Sequence, residues 1–283
     1  MNGIILVNKE AGMTSHDVIF KLRKILKTKK IGHCGTLDPL AKGVLVCLVN
    51  NATKLSNFLV LDSKEYTATF KLGEATTTQD LAGEVVETKE YQNEYSKEDI
   101  LKVLEQYKGK QMQTPSIYSA IKVNGKKLYE YARANQEVEI PTREINIYDI
   151  KLIDFENDLI TINVKCSSGT YIRSLCYDIA NTLNYPGVLT NLVREQSGSF
   201  KIEDAYTLDQ IRNEEYQLIG IKEAMDDYQQ VILDDDKIKD VKNGKQLEID
   251  IDNRFIVLDK EGNVIAIYER SIDGKAKVIR GLW

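Results

Sequence analysis

Residues 32–45 read Gly-His-Cys-Gly-Thr-Leu-Asp-Pro-Leu-Ala-Lys-Gly-Val-Leu, and this stretch decides how the chain is interpreted. It contains one carboxylate, that of Asp38, directly before Pro39. Because Pro39 fixes its own φ and moves the preceding residue out of the helical region, the sequence predicts a constrained turn at Asp38. The apolar run over 44–49 predicts a buried strand. An acid is therefore expected on a rigid polar loop joined directly to the core.

This loop resembles the signature loop of the tRNA pseudouridine-55 synthase family, in its bacterial (TruB) branch. The family pattern G-H-x-G-T-L-D-P-x-A-x-G-x-L is matched at every fixed position of residues 32–45. The resemblance implies that Asp38 is the catalytic nucleophile. It also implies that His33 borders the space left by a nucleotide that has flipped out.

The reaction implied by the resemblance is the conversion of uridine to pseudouridine at position 55 in the T-loop of tRNA. The N1–C1′ bond breaks and the base rejoins the sugar through C5, with no change of oxidation state, so no cofactor is expected. The residues leave open whether Asp38 attacks C1′, attacks C6 or assists elimination to a glycal.

A second family motif lies in a predicted strand. Residues 64–73 alternate between polar and apolar side chains, which places Tyr66 on the apolar face. Core packing is the ordinary interpretation of that pattern. The resemblance instead implies that Tyr66 stacks on the uridine, where its phenol could also help to remove a proton.

Two further matches lie later in the chain. Residues 167–175 read Ser-Ser-Gly-Thr-Tyr-Ile-Arg-Ser-Leu and contain the family motif G-T-Y-I-R. By resemblance, Tyr171 lines the uridine pocket and Arg173 pairs with the catalytic carboxylate. Leu192 matches a leucine that contacts the flipped uridine in relatives, and a core leucine is the competing interpretation.

A strongly basic segment precedes the Asp38 loop. Residues 21–30 carry six bases and no acid, and a helix is predicted from Thr14 or Ser15 to about Lys27. A solvated helix face is the ordinary interpretation of such a run. Beside a catalytic loop, Lys24 and Lys27 become candidates for contacts with the RNA backbone.

Periodicity and turn residues predict most of the remaining elements. A capping box at Ser96 predicts a helix that ends near Tyr107. The other predictions are strands over 3–8, 143–154 and 158–167, a polar loop over 73–83, a strand over 113–123 that enters a hairpin at Asn124 and Gly125, and helices over 126–135 and to about 183.

The resemblance implies an α+β fold. Residues 1–225 would form the pseudouridine-synthase catalytic domain, with a central, largely antiparallel sheet flanked by helices. Residues 231–283 would form a small, β-rich, PUA-like RNA-binding domain. In that segment short alternating runs, separated by turn signals at 243–244, 261–263 and 273–274, predict a small barrel or sandwich.

Composition bounds the class of protein. With 42% hydrophobic and 29% charged residues, the chain of 283 residues is typical of a soluble globular protein. No apolar run is long enough to cross a bilayer and the N-terminus has no signal-peptide pattern, so a cytoplasmic protein without a membrane partner is expected. The net charge of −5 is uneven, because residues 203–240 hold twelve acids and four bases and the remainder therefore carries +3.

Cysteine and histidine usage argues against metal and thiol chemistry. The four cysteines show no C-x-x-C spacing and are expected to be reduced. Only two histidines are present, so no metal site is predicted. A thiol nucleophile at Cys34, oriented by His33, is a weak alternative because adjacent side chains seldom converge.

Two other functions compete with the stand-alone enzyme. One is the guide-RNA-dependent relative, which needs accessory proteins and usually a larger PUA module. The other is an RNA-binding module or tRNA folding chaperone, which would not need a carboxylate and an arginine brought together. The expected partner is the T stem-loop of tRNA, with no DNA, no membrane and no obligate protein partner.

Overall fold

The computed structural model describes residues 1–271 and 274–283, in which helices are interspersed among strands along the chain. The predicted turn at 273–274 begins at Asp273, which lies outside the described residues. The strands are β1 (Gly3–Lys9), β2 (Ile31–Cys34), β3 (Lys42–Val49), β4 (Ser63–Leu72), β5 (Glu74–Thr76), β6 (Val85–Thr88), β7 (Gly109–Gln113), β8 (Lys122–Val123), β9 (Lys126–Lys127), β10 (Arg143–Glu156), β11 (Leu159–Ser167), β12 (Gly187–Ser197), β13 (Phe200–Lys201), β14 (Gln229–Ile232), β15 (Phe255–Leu258), β16 (Val264–Arg270) and β17 (Ala276–Gly281). The α-helices are α1 (Ser15–Ile25), α2 (Lys97–Gln106), α3 (Leu128–Arg133), α4 (Ile172–Thr182), α5 (Leu208–Arg212) and α6 (Asp235–Lys242), and 3₁₀ turns cover Asn50–Leu55, Ile202–Asp204 and Glu223–Met225.

A central sheet carries the fold. Among the described residues its nine strands include the path β1-β3-β12-β4-β11-β10-β7, with β2 beside β3 and β13 beside β12. All of these neighbours run antiparallel except β12 and β3, which pair in parallel through Val193 with Lys42 and Arg194 with Gly43. The expected largely antiparallel sheet is confirmed. The parallel step brings the start of β3, just after the Asp38 loop, against β12.

One face of this sheet is covered by helices. On β4 the side chains of Tyr66, Ala68, Phe70 and Leu72 are buried, as the alternation predicts. They join an apolar cluster to which the helices contribute Val18, Ile19, Leu22, Ile100, Leu104, Leu175 and Ile179. Each fully buried side chain of this size contributes about 1.5–3 kcal/mol to folding. The cluster therefore fixes β4, which carries Tyr66, against α4.

Local capping sets the ends of two helices. Before α1, Thr14 Oγ1 accepts the Asp17 N–H at 3.1 Å and Asp17 Oδ2 accepts the Thr14 N–H at 2.8 Å. The predicted capping box of α2 is confirmed between Ser96 and Asp99. Helix α1 ends at Ile25 rather than near Lys27, because Lys27 has a left-handed φ of 50° that a helix cannot continue through.

The C-terminal segment forms a second sheet in the order β14-β15-β16-β17. The prediction of a barrel or sandwich is wrong for the described residues, because this sheet stays open and α6 packs on one face through Ile238 and Val241. Its other face packs against the outer face of β1 and β3. The sheet begins at Gln229, inside the acidic stretch. Helix α6 was not predicted, since the two buried residues give too weak a periodic signal.

The segment between β7 and β8 corrects another prediction. Strand β7 ends at Gln113 and no strand covers residues 114–121, in which Pro115 has no N–H to donate to a ladder. The hairpin turn is present, with positive φ at both Asn124 and Gly125. The helix that follows is shorter than predicted. Residues 118–121 instead line the cavity described next.

Candidate active site

The Asp38 loop joins β2 to β3 and is held at several points. Ser15 Oγ donates to Leu37 O at 3.1 Å and accepts the Leu37 N–H at 2.9 Å. The Ala41 N–H donates to Asp38 O at 3.1 Å. At the end of the loop a Cβ on Gly43 would lie 2.2 Å from Arg194 O, so only glycine permits this approach of β12. The turn at Asp38 is therefore anchored to a helix and to the sheet.

A buried lysine also supports the loop. Lys9 is 1% exposed, and its Nζ donates to Met13 O at 2.7 Å, Glu10 O at 2.9 Å and Pro39 O at 3.4 Å. Burial lowers the pKa of Lys9 to about 8, and the nearby charge of Asp38 acts in the opposite direction. Two positive charges therefore act on Asp38, that of Lys9 and that of Arg173, which is described next.

Arg173 is the cation in direct contact with the loop. Its Nε lies 3.0 Å from Asp38 Oδ2, which is the ion pair expected by resemblance. Its Nη1 donates to Thr78 O at 2.7 Å and its Nη2 to Tyr118 O at 3.1 Å. The arginine side chain is 7% exposed, whereas that of Asp38 is 42% exposed. The guanidinium is thus buried behind the carboxylate, which stays accessible.

A second carboxylate near Arg173 was missed by the sequence analysis. Asp80 Oδ2 lies 3.5 Å from Arg173 Nη1, and both side chains are buried. Asp80 Oδ1 accepts hydrogen bonds from Thr78 Oγ1 at 2.6 Å and from the Ala82 N–H at 3.0 Å. Asp80 is a fixed position of the family pattern L-G-x-x-T-x-T-x-D-x-x-G, which residues 72–83 match, but no role was predicted for it. Asp80 completes a chain of charges from the loop 73–83 to Asp38.

Asp38 and Arg173 border a cavity of about 760 Å³. This volume falls in the range of ligand pockets, about 300–1,000 Å³. The structure brings together in its lining all six residues predicted for the cavity, which are His33, Asp38, Tyr66, Tyr171, Arg173 and Leu192. Their individual roles stay predictions.

The walls of the cavity are partly aromatic and apolar. Tyr66 is 7% exposed and belongs to the core cluster as well as to the lining, so it packs in the core and also borders the cavity, while stacking on the uridine stays a prediction. Burial raises the pKa of the Tyr66 phenol, and the positive charge of Arg194 lowers it. Tyr171 lies with its ring 5.4 Å from the Arg143 guanidinium. Leu192 is buried and also lines the cavity.

Arg194 is a fully buried cation beneath the loop. Its Nε donates to Val44 O at 2.9 Å and its Nη2 to Gly35 O at 2.8 Å. No carboxylate of the described residues lies within 4.0 Å of it. Burial, and then the charge of Arg194, lower the pKa of His33, so its imidazole is neutral at neutral pH. Sequence reasoning missed Arg194, because its burial depends on tertiary packing.

The structure argues against the thiol alternative. Cys34 is buried, and burial raises its pKa to about 11, so at neutral pH it is a protonated thiol rather than a nucleophilic thiolate. All four cysteines are free and buried. Across residues 1–271 and 274–283, no cluster of His, Cys, Asp or Glu could hold a metal ion.

The two predicted RNA-backbone lysines lie outside the cavity. Lys24 is exposed on α1, with Nζ 4.4 Å from the centre of the Phe20 ring. Lys27 is exposed just beyond the end of that helix. Neither residue is part of the lining, so any contact with RNA would be made by the surface next to the loop.

Known proteins resemble both the sequence and the fold. The family model described as "TruB family pseudouridylate synthase (N terminal domain)" matches residues 23–172. The tRNA pseudouridine synthase B of Bacillus cereus is 44% identical over 95% of this chain and 92% of its own length, and that of Bacillus subtilis is 43% identical over 95% and 93%.

Among solved structures, a Cbf5-Nop10-Gar1 complex matches 99% of this chain and 85% of its own chain, with a TM-score of 0.73 and 22% identity, which shows the shared fold. In the described part of the chain, no helix is long and apolar enough to span a membrane. The family model and the identity to the two Bacillus proteins lead to one conclusion: the chain belongs to the TruB family of pseudouridylate synthases.

Proposed function

We propose that this protein converts uridine to pseudouridine at position 55 in the T-loop of tRNA, with Asp38 as the nucleophile. Family membership makes the reaction an isomerisation of uridine to pseudouridine in tRNA. The observation that supports the nucleophile most directly is the Asp38 carboxylate, held 3.0 Å from Arg173 on the wall of the cavity.

The reaction needs a positioned carboxylate and a pocket that retains the detached base. Attack at C1′, attack at C6 and assisted elimination all require Asp38 to contact the substrate. Because Arg173 and the anchored loop fix the direction of this carboxylate before the substrate binds, little reorganisation is needed during the reaction. The proton that leaves C5 is balanced by one gained at N1, so the reaction needs no redox partner.

The uridine must leave the folded T-loop before it can reach Asp38. Extrusion of a base costs a few kcal/mol, and stacking on an aromatic side chain returns about 1–3 kcal/mol. Tyr66 is our candidate for stacking and for help in removing the C5 proton. Tyr171 and Leu192 would complete the pocket for the base. His33 would border the space that the flipped nucleotide leaves.

RNA contacts would extend beyond the cavity. We assign residues 1–225 to the catalytic domain and residues 231–283 to a PUA-like domain that binds RNA. Lys24 and Lys27 would contact phosphates of the T stem-loop. The protein would act in the cytoplasm on the T stem-loop of tRNA, without an obligate protein partner.

Chemical mapping tests this proposal. A naked tRNA transcript is incubated with the purified protein, and pseudouridine is then located by carbodiimide modification and primer extension. We expect a single new stop at position 55, and none in a transcript that carries cytidine there. A stop at another position would contradict the assigned site. Activity that appears only after a guide RNA or an accessory protein is added would contradict the stand-alone enzyme.

A further inference from the structure

The cavity holds more positive charge than its carboxylate balances. Arg173 is matched by Asp38 and Asp80, but Lys64, Lys127 and Arg143 also line the cavity. Within the described residues, no carboxylate oxygen lies within 4.0 Å of any of these three side chains. A lining with unmatched cations favours an anionic ligand.

Of these three cations, Lys64 lies beside the catalytic loop. It precedes Tyr66 by two residues on β4, so both side chains lie on the same face of the strand. Its Nζ donates to Ser168 Oγ at 3.2 Å, and a Cβ on Gly35 would lie 3.6 Å from this atom. Burial, followed by the charge of Arg194, lowers the pKa of Lys64. Because this ammonium is half-buried and has one neutral hydrogen-bond partner, binding an anion would compensate for its lost hydration.

Arg143 contacts the next residue of the same turn. Its Nη1 donates to Gly169 O at 3.5 Å, and its Nε is buried without a hydrogen-bond partner among the described residues. Its guanidinium lies 5.4 Å from the Tyr171 ring. Lys64 and Arg143 thus both contact the turn formed by Ser168 and Gly169, and both line the cavity.

Building on the function proposed above, we propose that Lys64, together with Arg143, binds a backbone phosphate attached to the extruded uridine. The base would occupy the aromatic and apolar wall near Tyr66 and Tyr171. A flipped nucleotide carries its own phosphodiester groups toward the cavity, and each brings a full negative charge. The two cations therefore fix the sugar next to Asp38 by holding the phosphate rather than the base.

A chemical double-mutant cycle tests this inference. Affinity for a T stem-loop RNA is measured with the Asp38→Asn protein, so that no turnover occurs. The RNA carries either a normal phosphate or a neutral methylphosphonate at the linkage 5′ or 3′ of the target uridine. We expect Lys64→Met to weaken binding of the normal RNA by about 10-fold, as loss of a charged hydrogen bond does.

At one of the two linkages, the methylphosphonate should weaken RNA binding by a similar factor in the protein that keeps Lys64. In the Lys64→Met protein the same methylphosphonate should cause no further loss of affinity. Lys64→Arg should keep most of the affinity, which separates loss of charge from loss of folding. Lys165→Met is the matched control, because Lys165 is an exposed lysine on the neighbouring strand and lies outside the cavity lining.

If Lys64→Met weakens RNA binding by the same factor whether or not either linkage is neutral, the two changes act independently and the phosphate site is overturned. Unchanged RNA affinity of the Lys64→Met protein would also overturn it. The proposed function is tested separately, because pseudouridine formation by the wild-type protein on the unmodified RNA does not depend on this cycle. A wild-type protein that modifies position 55 while the cycle shows no coupling would refute only the phosphate site.

Discussion

Arg173 contacts Asp38 through Nε, 3.0 Å from Oδ2, and uses both Nη atoms to bind backbone carbonyl groups elsewhere. Those carbonyls belong to Thr78 and Tyr118, which lie in two separate segments of the chain. The guanidinium therefore sets the position of the Asp38 carboxylate relative to both segments. Its planar array of donors is what allows one side chain to do this.

Replacement of Arg173 by lysine tests that geometry. The Arg173→Lys variant keeps the charge, but a single ammonium group cannot reach the carboxylate and both carbonyls. We expect kcat to fall by about 100-fold, since a displacement near 1 Å has that effect on a positioned group, with a smaller change in RNA affinity. Single-turnover rates on a T stem-loop measure this. Arg254→Lys, at an exposed ion pair with Glu269, is the control, and equal rates for the two variants would contradict the prediction.

Gly43 tests the close approach of β12 to the loop. In Gly43→Ala the new Cβ would meet Arg194 O at 2.2 Å, in addition to the cost of a φ of 101°. In the control Gly109→Ala the φ is 94° and no heavy atom lies within 4 Å of the new Cβ. The control should lose about 1–2 kcal/mol of unfolding free energy, and Gly43→Ala clearly more. Urea unfolding measures both, and equal losses would show that β12 can move away.

Lys9 makes stability depend on pH in a predictable direction. Its pKa is lowered from 10.5 to about 8, so between these values the unfolded chain binds the extra proton. Stability therefore rises with pH across this window, and this gain disappears as the pH is lowered from 10.5 to 8. The difference in unfolding free energy between wild type and Lys9→Met should grow from pH 8 to 10.5 and stay constant below pH 8. Lys102→Met, at an exposed position, is the control, and a flat difference for Lys9→Met would refute the prediction.

Substitution of Lys24 and Lys27, at the end of α1, tests whether the surface outside the cavity binds RNA. Removal of a lysine that neutralises one phosphate should reduce the slope of log affinity against log salt by about 0.7–0.9. The double variant Lys24→Gln, Lys27→Gln should therefore show a clearly shallower slope for tRNA binding. The matched pair Lys97→Gln, Lys102→Gln changes exposed lysines on α2, which contribute nothing to the cavity lining. Identical slopes for the two double variants would leave Lys24 and Lys27 as a solvated helix face.

The sequence allowed much of the fold to be predicted where the signal is local. The alternation on β4, the capping box at Ser96 and the constrained turn at Asp38 each depend on neighbouring residues, and each matches the structure. Helix α6 was missed because two apolar residues among many charges leave almost no periodic pattern. The irregular segment 114–121 was predicted as a strand, since alternation alone does not reveal that it borders a cavity.

The site was predictable only in part, because its contacts are long-range. The pairing of Asp38 with Arg173 followed from resemblance, since no local rule joins residues so far apart in the chain. No role was predicted for Asp80, Lys9 or Arg194, and only tertiary packing places them in or beside the buried shell of the loop. The places of these three charged residues in the site therefore could not be predicted from the sequence.

The central claim is that the Asp38 carboxylate performs the reaction on a flipped uridine, and its most direct test is tritium release. A T stem-loop transcript with 5-tritiated uridine at position 55 is incubated with wild type and with Asp38→Asn, and RNA binding is measured in parallel. The account predicts that Asp38→Asn binds the RNA with near wild-type affinity and releases no tritium. Appreciable tritium release by Asp38→Asn would contradict it.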